Sequence, residues 1–152
     1  MISKPYLLFL GDAKDELAIK TAAGINYWRP EWCIGQMSLP NAKSSLGINE
    51  ISLEEAVKRG AKTFVLGVVN AGGKMPEGWI DIIVKAISLG LNIASGMHSR
   101  LSSFDEISKA AIKHGVKLHD LRYNNIEFDT GKGLKRTCLL YTSDAADDRG
   151  CV

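Results

Sequence analysis

The sequence predicts an α/β fold of the Rossmann-like type, an open parallel sheet with helices on both faces, in a single domain. Short and continuously apolar runs recur along the chain, which is typical of strands buried on both faces of a sheet. Helical segments that end at glycines separate these runs. The pattern extends over residues 1–123 of the 152-residue chain, which is enough for one domain with a hydrophobic core.

The first predicted strand is the apolar run Tyr6–Leu10, which ends at Gly11. A helix is expected over Lys14–Ala23, with Gly24 as its stop. The second and weaker strand is predicted over Trp32–Met37. This half of the chain therefore begins with one strand–helix–strand unit.

A capping-box spacing opens the next helix, because the Ser52 hydroxyl and Glu55 lie three residues apart. This helix is predicted to run through Arg59 and to stop at Gly60. Thr63–Val69 follows as the clearest central strand.

Pro76 fits the first turn of a further helix that ends at Gly90. Its apolar positions follow helical spacing and are Trp79, Ile80, Ile83, Val84 and Ile87. Leu91–Ala94 is the next predicted strand. Ser103 with Glu106 is expected to cap a last helix, which Gly115 stops before a strand at Val116–His119.

Composition and charge exclude several classes of protein. The 19 basic and 17 acidic residues leave a formal charge of +2 and are scattered, so we predict no nucleic-acid partner. No apolar run approaches the roughly 20 residues of a membrane span, so we predict no membrane partner. Cys33 is the one cysteine outside the last fifteen residues, which excludes a disulfide framework and favours a cytoplasmic protein.

Ligands of open α/β sheets bind beyond the carboxyl ends of the strands, and candidate residues lie there. We predict cofactor binding by Gly11, Asn70, Gly72 and Gly73. The paired glycines let backbone amides approach an anion ahead of the following helix, or they simply form a turn that needs positive φ. No GxGxxG motif follows the first strand, which disfavours a dehydrogenase.

His98 is the candidate catalytic residue, since a histidine can act as a general base near neutral pH. The alternative is a loop histidine that bonds to backbone. The predicted substrate-binding residues are Ser95, Arg100, Asp120 and Arg122. Arg122 can clamp a carboxylate with two hydrogen bonds, or it can pair with Asp120. No Cys/His spacing suggests a metal site.

Three segments together resemble the D-glutamate N-acetyltransferase family, which was long catalogued as a domain of unknown function. They are GVVNAGGKMPEGW at 67–79, AIxxGLxIxSGMH at 86–98 and DxR at 120–122. The resemblance covers residues 1–137 and implies a Rossmann-like N-terminal domain followed by a P-loop NTPase-like domain. It also implies transfer of acetyl from acetyl-CoA to D-glutamate or a similar acidic amino acid.

A second resemblance bears on the cofactor. The rhythm of Ser52-x-x-Glu-Ala, Gly60-Ala61 and Ala86-Ile-x-x-Gly90 is similar to the CoA-binding domain of succinyl-CoA synthetase. It agrees with acetyl-CoA better than with NAD. The nucleotide of the further domain is not indicated.

The end of the chain differs in character from the rest. Residues 124–137 are polar and are expected to be a linker to a missing C-terminal domain. The run from Cys138 to Asp148 resembles the translation of a transposase-type sequencing-library adapter. We therefore expect residues 138–152 to be an artefact without ordered structure.

The leading interpretation is an enzyme fragment that is inactive alone, whose parent is a CoA-dependent N-acetyltransferase. The alternatives are a non-catalytic nucleotide- or CoA-binding module and a domain that forms a homo-oligomer through its aromatic residues. In the first two interpretations the partner is a small-molecule ligand.

Overall fold

The structure, a computed structural model, describes residues 2–69 and 71–123. Its strands are β1 (Tyr6–Gly11), β2 (Cys33–Ser38), β3 (Thr63–Leu66), β4 (Asn92–Ser95) and β5 (Leu118–Asp120). Its α-helices are α1 (Lys20–Trp28), α2 (Leu53–Lys58), α3 (Ile80–Ser88) and α4 (Asp105–His114). The predicted linker at 124–137 and the adapter-like segment 138–152 lie outside the described residues.

The five strands form one parallel sheet in the order β2-β1-β3-β4-β5, so the predicted fold class is confirmed. From β1 the chain passes to β2 on one side of β1. It then crosses to β3 on the other side of β1 and continues outward to β4 and β5. Right-handed crossovers therefore place α1 on one face of the sheet and α2, α3 and α4 on the opposite face. The direction reverses between β1 and β3, which makes that position the topological switch point of the sheet.

The aromatic part of the core lies on the face that carries three helices. The rings of Phe9 and Phe64, from neighbouring strands, lie 5.1 Å apart. Trp79, just before α3, meets Phe9 edge-on at 5.3 Å. Every residue of β1 and β3 is buried, as the continuous apolar runs predicted.

Two predicted helix ends are confirmed in atomic detail. The Ser52 hydroxyl accepts a hydrogen bond from the Glu55 amide at 3.2 Å and caps α2. Gly115 follows α4 in the left-handed conformation with φ 65°, where a side chain would be strained.

The helix predicted over Lys14–Ala23 is placed wrongly. α1 begins at Lys20 and runs through Gly24 to Trp28, while the residues before it form turns in which Asp15 accepts a hydrogen bond from the Ala18 amide at 2.9 Å. The first turn of α1 is tied to the chain that leaves β3, because the Ala22 amide donates to the Gly67 carbonyl at 3.1 Å.

Other boundaries also differ from the prediction. β3 ends at Leu66 rather than Val69, and β5 begins at Leu118. Ser103 does not cap α4, because its hydroxyl donates to the Arg100 carbonyl at 2.7 Å within a separate turn. Within the described part of the chain, no helix has the length and apolar character needed to cross a membrane.

Candidate functional site

A cleft of about 450 Å³ opens at the switch point, beyond the carboxyl ends of β1 and β3. We call it the switch-point cleft. It is lined by Asp12, Ala13, Lys14, Asp15, Leu17, Ala18, Lys20, Val68, Val69 and Trp79. Its position is the one at which open α/β sheets bind ligands, and its volume is within the ordinary range for small-molecule sites.

Gly11 shapes the floor of this cleft. It has φ 55°, and a Cβ added there would lie 2.5 Å from Cζ2 of Trp79. The Trp79 ring is buried, with 2% exposure. Gly11, a predicted cofactor-binding residue, is not among the residues that line the cleft. A glycine is needed at this position because only a residue without a Cβ lets the Trp79 indole approach the backbone so closely.

One wall of the cleft is formed by the start of α1 and the residues just before it. Backbone contacts hold this wall against the chain after β3. The Val69 amide donates to the Ala18 carbonyl at 2.8 Å. A Cβ on Gly67 would collide with the Cβ of Ala22, so the glycine sets the spacing between α1 and this segment. Together these contacts fix the position of the α1 side of the cleft relative to the chain after β3.

Charged groups stand at the mouth of the cleft. Lys14 lies 4.0 Å from Asp12 and also donates to the Asn41 carbonyl at 3.4 Å. Lys20 is the first residue of α1 and is exposed. Asp12 and Asp15 balance the charges of the two lysines in the lining, and Leu17 and Val69 add exposed apolar wall, so the cleft offers both polar and apolar contacts to a small molecule.

His98 belongs to a second cluster at the same edge of the sheet, the histidine loop, which we define as residues 96–100. Its amide donates to the Gly73 carbonyl at 3.0 Å, and its carbonyl accepts from the Tyr123 hydroxyl at 2.7 Å. A Cβ on Gly73 would collide with the imidazole, so the ring lies against that glycine. His98 is therefore exposed on a backbone fixed at both sides.

The paired glycines adopt the turn that was the alternative to an anion site. Gly72 and Gly73 have φ 83° and 62°. Gly72 is exposed and a Cβ there would meet nothing within 4 Å, whereas Gly73 is buried. Asn70, the remaining predicted cofactor residue, lies outside the described residues. A positive-φ turn does not preclude anion binding by its amides.

The predicted substrate-binding residues make mainly internal contacts. Buried Ser95 accepts a hydrogen bond from the Met97 amide at 3.2 Å. Asp120 accepts from the Leu101 amide at 2.8 Å, and Arg122 donates from Nε to the Gly96 carbonyl at 3.0 Å. The Arg100 guanidinium stacks on the Tyr123 ring at 4.1 Å.

The suggested pairing of Asp120 with Arg122 is absent from the ion pairs among the described residues. Asp120 instead joins β5 to the turn that precedes α4. The structure brings Gly73, His98 and Arg100 together with Tyr123, and it places Gly11 under Trp79, which lines the switch-point cleft, without making Gly11 part of the lining. Residues 2–69 and 71–123 contain no cluster of three His, Cys, Asp or Glu side chains suited to a metal ion.

Several residues of the two clusters were missed by sequence reasoning. Leu17, Lys20 and Val69 line the cleft, and Tyr123 holds the histidine loop. The sequence locates the strands but not their order, and only the order shows that the chain after β1 and the chain after β3 face one cleft.

The sequence over residues 38–124 matches DUF1611_N, described as a Rossmann-like domain of unknown function. The chain belongs to the DUF1611_N family. The strand order and the parallel sheet agree with that description.

This DUF1611_N chain is similar to two curated proteins named D-glutamate N-acetyltransferase. It is 48% identical over 135 residues to the protein from Pseudoalteromonas sp, covering 89% of this chain and 41% of the relative. It is 44% identical over 149 residues to the protein from Tritonibacter scottomollicae, covering 96% of this chain and 45% of the relative. The chain thus spans less than half of either relative, and the second alignment includes part of the segment 138–152.

Solved structures show the same fold. The DUF1611 family protein from Anabaena variabilis superimposes with a TM-score of 0.66 at 18% identity, over 88% of this chain and 41% of that one. A homoserine dehydrogenase from S. aureus gives 0.51 at 12% identity, over 79% and 33%. At these identities the likenesses concern the fold alone.

Proposed function

We propose that this chain is the Rossmann-like part of an enzyme that transfers an acetyl group from acetyl-CoA to the amine of D-glutamate or a similar acidic amino acid. The observation that carries the proposal is the identity of 48% and 44% to the two curated D-glutamate N-acetyltransferases. The similarity extends over nearly the whole chain rather than over one motif.

The chemistry sets three requirements. The substrate ammonium must lose a proton before its nitrogen attacks the thioester carbonyl, and the CoA thiolate then leaves. A cation must hold the substrate carboxylates, and an anion site must hold the phosphates of the donor. These requirements ask for a base and for two separate groups of positive or amide donors.

We assign the nucleotide part of acetyl-CoA to the switch-point cleft. Support comes from its location, from the ammonium groups of Lys14 and Lys20 at its mouth, and from its apolar walls. The Gly72–Gly73 turn lies on the chain after β3, and the backbone amides of such a positive-φ turn can bind an anion.

We assign the proton transfer to His98, with Arg100 and Arg122 near the substrate carboxylates. Support comes from the exposed position of His98 and from the two backbone hydrogen bonds that fix the histidine loop. Arg122 donates from Nε to the Gly96 carbonyl, and among the described residues no hydrogen bond from its terminal amino groups is present.

The test is a chimera in which residues 1–137 of this chain replace the matching region of the Pseudoalteromonas relative. We expect the chimera to acetylate D-glutamate. His98→Gln should lower kcat by about 10²-fold or more, as for loss of a general base. His114→Gln, at the exposed end of α4, is the matched control.

The cleft is tested in the same chimera. Lys14→Ala and Lys20→Ala should raise the KM for acetyl-CoA more than that for D-glutamate, whereas Lys113→Ala on α4 should change neither. A wild-type kcat for His98→Gln would rule out His98 as the base. An inactive chimera that is folded would count against the family assignment of function.

A second candidate is a non-catalytic CoA-binding module. It is favoured by the His98 ring, for which no hydrogen bond to a carboxylate is present among the described residues. Calorimetric titration of the chain with acetyl-CoA, with NADH as control, addresses binding directly. Acetyl-CoA binding together with full turnover of the His98→Gln chimera would support this second candidate.

A further inference from the structure

Residues 120–123, where the chain leaves β5, lie alongside the histidine loop. The Asp120 carboxylate accepts a hydrogen bond from the Leu101 amide at 2.8 Å, just after the loop. Arg122 donates from Nε to the Gly96 carbonyl at 3.0 Å, at the start of the loop. These two contacts hold the loop at its ends, and the last residue of the stretch holds its middle.

That residue is Tyr123, which contacts the histidine loop with two different parts of one side chain. Its hydroxyl donates to the His98 carbonyl at 2.7 Å. Its ring lies against the Arg100 guanidinium, with 4.1 Å between the guanidinium carbon and the ring centroid. The Tyr123 amide donates to the Asp120 carbonyl at 3.1 Å, so its backbone is fixed in a turn. One side chain thus touches both the proposed base and an arginine proposed for the substrate carboxylates.

The chemistry of a phenol suits this double contact, because a phenol supplies a hydrogen-bond donor and an aromatic face. The hydroxyl bonds to the backbone carbonyl of His98 and not to the imidazole, which stays free of this contact. A cation–π contact uses the face of the Arg100 guanidinium and not its N–H groups, which are the groups that bind a carboxylate. Both contacts therefore hold a functional group without occupying its reactive atoms.

The histidine loop has other anchors, so its fold does not depend on Tyr123 alone. The His98 amide donates to the Gly73 carbonyl at 3.0 Å, on the side away from Tyr123. The contacts at the two ends of the loop come from other side chains. The side chains of His98 and Arg100 are nevertheless exposed, and an exposed side chain loses rotamer freedom when it binds a ligand. Holding them in place before the substrate arrives reduces that cost.

We infer that Tyr123 is a positioning residue for the acetyl transfer, an inference that rests on the function proposed above. Its hydroxyl sets the position of His98 toward the substrate ammonium, and its ring directs the Arg100 guanidinium toward a substrate carboxylate. The two contacts together fix the distance between the base and this cation. Such a fixed distance suits a substrate whose amine and carboxylate are themselves a set distance apart, as in an acidic amino acid.

The test compares Tyr123→Phe with Tyr123→Leu in the chimera described above. Tyr123→Phe keeps the ring and removes the hydroxyl, so kcat should fall by about three- to ten-fold while the KM for D-glutamate stays unchanged. Tyr123→Leu removes both contacts, so it should also raise the KM for D-glutamate by about two- to five-fold. The KM for acetyl-CoA should stay the same in both variants.

Two backgrounds show whether Tyr123 acts through the groups that it contacts. In His98→Gln, the further change Tyr123→Phe should lower kcat no more. In Arg100→Ala, the further change Tyr123→Leu should raise the KM for D-glutamate no more. A merely structural role would reduce the amount of folded enzyme, which lowers kcat by the same factor in every background and changes neither KM. Circular dichroism of each variant measures that folded amount.

Tyr27 is the matched control, because it is 77% exposed on α1 and does not line the switch-point cleft. Tyr27→Phe and Tyr27→Leu should change neither kcat nor KM. Multiplicative effects in the two backgrounds, or the same constants for Tyr123→Phe and Tyr123→Leu, would overturn the role of Tyr123 and leave the proposed function in place. A folded chimera without acetyl transfer would overturn the proposed function and this role with it.

Discussion

Replacing Gly11 by alanine tests how the floor of the switch-point cleft is built. Gly11 ends β1 with φ 55°, and an added Cβ would lie 2.5 Å from Cζ2 and 3.0 Å from Cε2 of Trp79. The indole has little room to move, because it is buried and packs edge-on against Phe9. The substitution therefore combines backbone strain with a steric clash.

The two contributions can be separated by magnitude. A left-handed conformation costs a non-glycine residue about 1–2 kcal/mol, and overpacking of a core costs about 1–3 kcal/mol. We expect Gly11→Ala to lower the free energy of unfolding by about 2–5 kcal/mol. Gly72→Ala is the matched control, because Gly72 also has positive φ (83°) while its Cβ would meet nothing within 4 Å. It should cost about 1–2 kcal/mol.

Urea unfolding followed by circular dichroism measures both variants. A Trp79→Phe background removes the part of the indole that the new Cβ would strike. The double variant should therefore be more stable than additivity predicts, by about 1 kcal/mol or more. Equal costs for Gly11→Ala and Gly72→Ala, or strict additivity with Trp79→Phe, would refute the steric argument.

Three further predictions concern single side chains. Asp120→Ala should lower the free energy of unfolding by about 1–3 kcal/mol in urea titration, because the Leu101 amide loses its acceptor, and Asp120→Asn should cost less. An unchanged stability would contradict this structural role and favour substrate binding by Asp120. Burial lowers the pKa of His119 below its ordinary value, with Lys117 adding to the effect, so the unfolded chain takes up the proton at a higher pH than the folded chain. The stability that His119 contributes is present above about pH 6.5 and is lost as the pH falls through its folded pKa; His119→Gln should flatten the stability profile there, and an unchanged slope would contradict the argument. Burial, with Glu31 adding to it, raises the pKa of the Cys33 thiol. Alkylation of Cys33 by iodoacetamide at pH 8, followed by peptide mass spectrometry to separate it from the other cysteines, should therefore be slower in the folded protein than in urea, and equal rates would count against this.

Local chemistry explains why much of the fold was predictable. The strand at Tyr6–Leu10 is buried because all of its residues are apolar, and no neighbour is needed to recognise it. The Ser52 cap and the Gly115 stop depend on contacts within a few residues. The position of α1 was not predictable in this way. Its first turn is held by a hydrogen bond from Ala22 to Gly67, which lies 45 residues further along the chain.

In the candidate site, too, some features follow from local sequence and others from long-range contacts. The sequence by itself determined the parallel α/β class, the resemblance to the D-glutamate N-acetyltransferases and the location of His98 after a strand. Only the tertiary structure decided that β1 and β3 are neighbours with the switch point between them, and that Asp120 bonds to Leu101 rather than to Arg122. Strand order and such long-range partners follow from how apolar faces pack across the whole sheet, whereas strands, caps and stops are set by residues adjacent in the chain.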